Sequence, residues 1–391
     1  MLRFKRPYGP QEHSDGMGLG RETAALHRVA IALCLLVLGS CGKSGVPELH
    51  VTRELNVYNW SDYIASGVIA DFEKETGIKV RYATFPSQEV METTLLTGHA
   101  QYDLVVVPGN VLEHLIGAHV FHELDRSHLP NWHNLDTDVM TRLSKQDPEN
   151  RFAAAYMWGT TGIGVNVTKI RRVLPDAPLN SWRLIYDPAI VAKLADCGVS
   201  IADSPSEIIA TALISMGKDP NTTDEVNFEA AARKLMSIRP FIRKIDAESQ
   251  ISEMASGDIC LMLTWTSNLV LAKRRADESG RIGDLRYLIP TEGTITFVDT
   301  LAIPADATHI EEAYAFMDYL MRADIAARNA NFAGNATANR AALSQIQPSL
   351  RDDAGIYPPQ EVQQRLEPIR ARGDEASRIV TRIWTRFRTG R

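Results

Sequence analysis

Apolar and polar positions alternate along most of the chain in a way that predicts strands and helices in turn. Short apolar runs bounded by turn residues predict strands, and longer stretches with apolar residues three or four apart predict helices. Strands are predicted at Leu55–Tyr58, Ile78–Phe85, Tyr102–Val107, Thr161–Asn166, Ile259–Thr264 and Thr294–Pro304. Helices are predicted at Ser66–Thr76, Ser87–Gly98, Ser206–Gly217, Glu229–Ile238, near Ile310–Leu320 and in the C-terminal tail. This alternation predicts an α/β protein of two doubly wound lobes, with parallel strands joined by right-handed crossovers.

The ends of these predicted elements indicate where a ligand would bind. Gly77 and Gly98 stand where helix C-termini favour positive φ, and Ser87 stands where an N-cap belongs. In open α/β sheets, ligands bind beyond the carboxyl ends of strands. The residues that directly follow predicted strands are therefore candidate ligand contacts: Trp60, Ser61, Asp62, Tyr63 and Trp265.

One predicted strand carries an acidic side chain on an apolar face. Alternation along Thr294–Pro304 places Asp299 on the same face as Ile295, Phe297 and Leu301. A carboxylate in that position needs a cation or hydrogen-bond donors, because a desolvated and unpaired charge costs several kcal/mol. Its partner could be a basic residue of the protein or a ligand. Similarly, Asp62 could be only a helix N-cap.

The N-terminal segment predicts export. Val29–Leu38 is a ten-residue apolar run that follows basic residues, and it is too short to span a bilayer as a helix. This pattern is typical of a secretory signal peptide, and the Leu-Gly-Ser-Cys ending resembles a bacterial lipobox with Cys41 as the acylated residue. We therefore expect a lipoprotein signal peptide at 1–40 and a lipidated linker at 41–52. The protein would be periplasmic and held to a membrane by lipid only; the alternative is a buried core helix.

Composition and charge narrow the classes of partner. The 391 residues are 45% hydrophobic and 23% charged, which is typical of a globular chain of two or three domains. A formal net charge of −6 argues against a nucleic-acid partner. The eight arginines within residues 365–391 do not reverse this, because apolar residues recur there at helical spacing. They predict an amphipathic helix packed on the body through Ile379, Val380, Ile383, Trp384 and Phe387.

Other residues suggest a metal or cofactor only weakly. Gly159, Gly162 and Gly164 lie close together, but no phosphate-loop Lys-Ser/Thr pair follows them. Cys, Asp and Glu do not frame the histidines between Val111 and His133 at zinc-site spacing. We interpret these histidines as residues of solvated loops and helix ends: His114, His119, His122, His128 and His133. We thus predict no metal and no cofactor.

Longer matches indicate a family. The stretch 55–80, LNVYNWSDYIASGVIADFEKETGIKV, resembles the opening of bacterial polyamine-binding proteins, the substrate-capturing components of ABC importers, and especially of the periplasmic putrescine-binding members. Further matches follow in order at Tyr156–Asn166, Gly257–Cys260, Phe297–Ala305 and Gly355–Pro359. They extend along the whole chain beyond the predicted signal peptide.

The resemblance implies a two-lobe periplasmic binding protein-like fold whose cleft holds a polyamine. Acidic side chains would hold the ammonium groups, and aromatic rings would line the methylene chain. Asp62 and Glu207 would lie on different lobes, so that one ligand bridges them. The ligand-binding positions it implies are Trp60, Ser61, Asp62, Tyr63, Glu207, Trp265, Asn268, Phe297, Asp299 and Asn335.

Some positions differ from the family pattern, and the cysteines agree with it. Asn268 stands where the putrescine binders have aspartate, Asn335 where they have tyrosine, and Pro108 where they have serine. A neutral amide binds an ammonium group more weakly than a carboxylate does, so spermidine, cadaverine or agmatine is as plausible a ligand as putrescine. Oxidising conditions outside the cytoplasm favour a disulfide between Cys197 and Cys260, and the resemblance implies the same pair.

We therefore predict a monomeric, non-catalytic receptor that delivers a polyamine to the permease subunits of an ABC importer. Its first lobe is predicted at 53–157 with a return at 287–325, its second lobe at 158–286, and a C-terminal helical segment packing on both at 326–391. Two alternatives stay open. The protein could be a polyamine-sensing receptor, or an exported enzyme acting on an amine, although the sequence contains no GxSxG or HExxH motif.

Overall fold

The computed structural model describes residues 53–98, 100–281 and 283–391. The predicted signal peptide, Cys41 and the linker up to residue 52 lie outside these described residues. Within the described ranges, no helix combines the length and the apolar character that a membrane crossing requires.

Strands and helices alternate much as the sequence pattern predicts. The strands are β1 (Glu54–Trp60), β2 (Lys79–Phe85), β3 (Leu104–Pro108), β4 (Ala153–Asn166), β5 (Val199–Ile201), β6 (Lys244–Ile245), β7 (Leu261–Trp265), β8 (Leu285–Leu288), β9 (Thr294–Ala302), β10 (Ala336–Thr337) and β11 (Leu366–Pro368). The first helices are α1 (Val68–Thr76), α2 (Gln88–Leu96), α3 (Gly109–Gly117), α4 (Thr137–Leu143), α5 (Val167–Val173), α6 (Arg183–Tyr186), α7 (Pro188–Leu194) and α8 (Pro205–Ile214). The remaining helices are α9 (Glu225–Ile238), α10 (Ala247–Ser256), α11 (Thr266–Glu278), α12 (Ile310–Leu320), α13 (Ala323–Ala333), α14 (Pro348–Arg351), α15 (Gln360–Gln363) and α16 (Asp374–Thr389).

The sheet is mixed, which the sequence pattern did not predict. Its strand order is β2-β1-β3-β9-β4-β7-β5-β6, with β8 and β10 paired to β4 and β11 paired to β9. The outer pairs, β1 with β2 and β3 and β5 with β6 and β7, are parallel, as predicted. By contrast, the long strands β4 and β9 are antiparallel to each other, β9 is antiparallel to β3, and β4 is antiparallel to β7. The two strands run in opposite directions because β4 leads the chain away from the first part of the fold and β9 brings it back.

Two large hydrophobic cores and one smaller cluster lie along these strands. The first core contains buried residues of β1, β3, α12 and α13, and the second contains buried residues of β5, β7, α8 and α9. On β4, Trp158 belongs to the first core and Ile163 to the second; on β9, Ile295 belongs to the second and Val298 to the first. Each long strand therefore passes from one core to the other within a few residues.

Several local predictions are confirmed. Gly77 and Gly98 have φ angles of 73° and 66°, and the Ser87 hydroxyl accepts a hydrogen bond from the Val90 N–H at 3.3 Å. Helix α9 begins four residues earlier than predicted, at Glu225, because Asp224 caps its N-terminus. The C-terminal helix α16 buries the predicted apolar face in the second core through Val380, Ile383, Trp384 and Phe387.

Cys197 and Cys260, which were predicted to pair, form a disulfide. The Cα atoms of Cys197 and Cys260 lie 5.6 Å apart. The bond joins the segment that precedes β5 to the residue that precedes β7, so it ties together two neighbouring parallel strands of the second core.

Candidate ligand-binding site

The segment that follows β1 turns back over the sheet. Trp60 ends β1, and Asp62 then adopts φ 57°, a left-handed conformation that aspartate tolerates better than most residues. Ser61 and Asp62 are exposed, whereas Tyr63 returns toward the interior. We refer to residues 60–65 as the site segment, because it presents both Trp60 and Tyr63 to the middle of the sheet.

Tyr63 meets Asp299 of β9 in a buried group of polar side chains. The Tyr63 hydroxyl donates to Asp299 Oδ2 at 2.6 Å and accepts from Asn335 Nδ2 at 2.9 Å. Asp299 is only 3% exposed. One buried polar atom of this group, the acceptor Asn335 Oδ1, has no hydrogen-bond partner among the described residues. The Trp60 side chain lies close enough to the Asp299 carboxyl to lower its pKa. The group therefore combines a buried carboxylate with unused hydrogen-bonding capacity.

The surroundings of the Asp299 carboxyl group disfavour its ionised form. Burial raises the pKa of Asp299 to about 7, the hydrogen bond from Tyr63 opposes this rise, and the negative charge of Glu207 adds to it. Burial also raises the pKa of Tyr63 well above its ordinary value, so its hydroxyl stays protonated and remains a donor. Among the described residues, no Lys, Arg or His forms an ion pair with Asp299.

Glu207 forms a second, partly buried acidic group on the other core. It lies in the first turn of α8, which begins at Pro205, and Glu207 Oε2 accepts hydrogen bonds from Trp265 Nε1 at 2.5 Å and from Thr161 Oγ1 at 2.9 Å. Burial raises its pKa, and these donors lower it. Within the described residues, Glu207 too is held by neutral donors and by no cationic side chain.

An aromatic ring lines a cavity together with Glu207. Phe297 precedes Asp299 by two residues on β9, so both side chains lie on one face of the strand. Gly159 of β4 packs under the ring: a Cβ atom there would lie 2.6 Å from Phe297 Cζ, so only glycine permits this packing. Residues associated with both cores line a cavity beside this ring, among them Gln88, Asn110, Gln146, Ser206, Glu207 and Phe297.

The structure therefore gathers most, but not all, of the predicted site residues. Trp60, Tyr63 and Asn335 accompany the carboxyl group of Asp299, and Trp265 binds that of Glu207. Phe297 lines a cavity together with Glu207. Asn268 instead donates through Nδ2 to Thr264 Oγ1 at 3.0 Å and to the Ala247 carbonyl at 3.4 Å. No hydrogen bond or ion pair within the described residues joins the exposed Ser61 or Asp62 to the other candidates.

Three features of the site were missed by sequence reasoning. Asp62 was paired with Glu207 in the prediction, whereas the buried acid whose charge interacts with Glu207 is Asp299. Thr161 was not predicted, although it lies inside the matched stretch 156–166. Gln88 was not predicted either, and the rule that ligands bind at the carboxyl ends of strands could have found it, since it follows β2 closely.

The histidines have other surroundings. His114 Nδ1 lies 2.5 Å from Glu92 Oε1, and His133 Nδ1 lies 2.7 Å from the Pro130 carbonyl. In the part of the chain that the structure describes, no three or more His, Cys, Asp or Glu side chains are grouped to hold a metal ion.

The buried carboxyl group predicts an unusual dependence of stability on pH. Because the folded-state pKa of Asp299 is raised, its contribution to stability is fully present below the ordinary aspartate pKa and is lost as pH rises through about 7. We therefore expect the free energy of unfolding of the unliganded protein to fall between pH 5 and pH 8. Urea unfolding across this range should show a shallower fall for Asp299→Asn; equal slopes for both proteins would contradict the assignment.

Comparison with known proteins agrees with this geometry. Residues 67–355 match the family described as bacterial extracellular solute-binding protein. The chain is 42% identical over 359 residues to the putrescine-binding periplasmic protein PotF of Escherichia coli, covering 91% of this chain and 97% of that protein. It is 39% identical over 360 residues to the putrescine-binding periplasmic protein SpuD of Pseudomonas aeruginosa, covering 92% and 98%.

A solved structure shows the same two-domain architecture. The spermidine/putrescine ABC transporter substrate-binding protein PotD of Streptococcus pneumoniae superimposes with a TM-score of 0.74 at 25% identity, covering 86% of this chain and 99% of that chain. Family match, relatives and fold thus agree: this chain belongs to the bacterial extracellular solute-binding proteins.

Proposed function

We propose that this protein captures a polyamine outside the cytoplasm and delivers it to the permease of an ABC importer, without chemistry on the ligand. The observation that carries the proposal is the pair Asp299 and Glu207. Asp299 is buried and Glu207 is partly buried, both carboxyl groups have raised pKa values, and only neutral donors hold them among the described residues. The names of the relatives support a polyamine as the missing cationic partner.

A protonated amine would complete the hydrogen bonding around Asp299. An ammonium group supplies three N–H donors and a positive charge. The carboxylate of Asp299 and the unpartnered Asn335 Oδ1 are both acceptors, and both belong to the group around Tyr63. Charge-assisted hydrogen bonds are roughly twice as strong as neutral ones, so the group around Asp299 favours a cation over a neutral ligand.

The second ammonium group would bind at Glu207, and the alkyl chain would lie along the aromatic rings. Phe297 lines the cavity together with Glu207, and ring faces attract cations while covering methylene groups. Asp299 lies in the part of β9 that borders the first core, and Glu207 lies in α8 of the second core. A two-ended cation would therefore favour a conformation in which the two cores approach each other.

The domain boundaries and the cellular location of the protein are part of the same proposal. The change of core between Trp158 and Ile163 on β4 supports a boundary near residue 158, with the return of the chain along β9. The family and its periplasmic relatives support a location outside the cytoplasm. We propose that a signal peptide directs export, that Cys41 carries a lipid anchor, and that the receptor acts as a monomer.

Calorimetry with matched ligands tests the proposal. The purified protein is titrated with putrescine, cadaverine, spermidine and agmatine, and with 1,4-butanediol as a neutral analogue of putrescine. We expect at least one amine to bind one-to-one, the diol not to bind, and the amine to be recovered unchanged after long incubation. Absence of binding by every amine would overturn the proposal, and chemical conversion of the amine would favour the enzyme alternative.

Replacement of Asn268 by aspartate is expected to raise the affinity for diamines. The Asn268 amide donates to Thr264 and Ala247, but it occupies a position where the family pattern has aspartate. Asn268→Asp is expected to tighten diamine binding about tenfold or more, because a carboxylate attracts an ammonium group more strongly than a neutral amide does. The new carboxylate can accept from the Thr264 hydroxyl and lies in the first turn of α11, where the helix dipole favours negative charge. Asn166→Asp, at the buried N-cap of α5, adds the same charge outside the site and should change nothing. Calorimetry showing no gain for any diamine with Asn268→Asp would contradict this role.

A further inference from the structure

The backbone of the site segment is held by side chains from three other elements. The Tyr82 hydroxyl of β2 donates to the Trp60 carbonyl at 3.2 Å, and the Tyr156 hydroxyl of β4 donates to the Tyr63 carbonyl at 2.8 Å. Asn329 Oδ1 of α13 accepts from the Ala65 N–H at 2.9 Å. Buried backbone groups in loops need such partners, and here each one comes from a residue distant in sequence.

These side chains lie behind the site segment rather than in the site. Asn329 is fully buried, and Tyr156 is buried in the first core. Burial raises the pKa of Tyr156 well above its ordinary value, so the hydroxyl stays protonated and continues to donate. The Tyr63 side chain, in turn, points its hydroxyl at Asp299. The bonds from Tyr156 and Asn329 therefore fix the backbone on both sides of Ile64, directly next to the residue that reaches Asp299.

We propose that Tyr156 and Asn329 are positioning residues for the ligand site. This inference rests on the proposed function. By holding the site segment in place before a ligand arrives, they keep the Tyr63 hydroxyl on Asp299 and the Trp60 ring beside it. A site that is ordered in advance binds more tightly, because the ligand does not have to order the loop.

The proposed positioning role predicts a loss of polyamine affinity that a purely structural role would not cause. Tyr156→Phe and Asn329→Ala each remove one hydrogen bond to the site segment, so each is expected to weaken polyamine binding about three- to tenfold. The double variant should lose less than the product of the two single losses, because both bonds restrain one segment. In hydrogen exchange, the Ala65 amide should exchange faster in Asn329→Ala than in the native protein, while amides of the second core keep their protection.

Two control variants remove comparable bonds elsewhere near the first core. Tyr314→Phe removes a hydroxyl that accepts from the Asp125 N–H at 2.7 Å. Asn339→Ala removes an oxygen that accepts from the Ala342 N–H at 3.0 Å and an Nδ2 group that donates to the Met321 carbonyl at 2.7 Å. Both side chains are buried and neither contacts the site segment. These variants should lose stability like the test variants and keep the native affinity.

The experiment is calorimetry with the amine that binds the native protein best, together with urea unfolding of all variants. Affinity losses confined to Tyr156→Phe and Asn329→Ala would support the positioning role. Native affinity in both, or equal losses in the controls, would overturn it. If Asn329→Ala does not fold, Tyr156→Phe carries the same expectation. Failure of the native protein to bind any amine would instead overturn the proposed function.

Discussion

Asp299→Asn is expected to weaken polyamine binding by at least about a hundredfold, because loss of one partner of a buried ion pair costs about 3–5 kcal/mol. Asparagine has the same shape and can still accept the hydrogen bond from Tyr63, so the substitution removes the charge and little else. The same variant should make the unliganded protein more stable at pH 8. The raised pKa of about 7 corresponds to about 4 kcal/mol of unfavourable ionisation that asparagine does not incur.

Asp103→Asn is the matched control, because Asp103 is also a buried aspartate of the first core. Burial alone would raise its pKa, but N–H groups of Asn56, Thr308 and His309 outweigh burial and lower it. Its charge is therefore already compensated by the protein. We expect Asp103→Asn to lower the free energy of unfolding and to leave polyamine affinity unchanged. Native affinity in Asp299→Asn, measured by calorimetry, would show that Asp299 does not bind the ligand.

Glu207→Gln is expected to weaken diamine binding to a similar extent, about a hundredfold or more, for the same reason. Glutamine retains an oxygen that can accept from Trp265 and Thr161, so the shape of this end of the cavity is preserved. Because a diamine would then be held firmly only at Asp299, most of the loss should appear as faster dissociation. Stopped-flow displacement of bound ligand measures this rate.

The control for Glu207→Gln is Glu312→Gln. Glu312 Oε1 accepts from Arg53 Nε at 2.7 Å near the start of α12, in a surface ion pair outside the cavity. Such pairs contribute little, so both affinity and dissociation rate should stay native. A dissociation rate in Glu207→Gln equal to that of Glu312→Gln would exclude an ammonium site at Glu207.

The sequence pattern predicted most helices and strands because helix caps and the alternation of apolar and polar residues depend only on neighbouring positions. Ser87 caps its helix and Gly77 ends one, and strict alternation along β9 correctly placed Asp299 among apolar residues on a buried strand. Strand β4 was predicted only from Thr161 onward. Its first half, which reads AAAYMW from Ala153, is buried on both faces, and a strand without a polar face shows no period of two.

The sequence predicted most residues of the site, but it did not predict all the contacts among them. The resemblance named Glu207, Trp265 and Asp299, and the structure brings them into two interacting acidic groups. The exposure of Asp62 could not be predicted, because it depends on the backbone turn at this residue that carries Tyr63, and not Asp62, inward. The contact of Asn268 with Ala247 likewise depends on how α10 packs against α11, which no local pattern reports.

The central claim is that two carboxyl groups with raised pKa values, those of Asp299 and Glu207, bind the ammonium groups of the ligand. A cation stabilises the ionised form of Asp299, so binding at pH 7 should release protons. Calorimetric titration of the amine at this pH in phosphate and in Tris, two buffers with different ionisation enthalpies, counts them. The account predicts release of about half a proton or more per bound amine, since a group with a pKa near 7 is half protonated there. Binding heats that are the same in both buffers would contradict it.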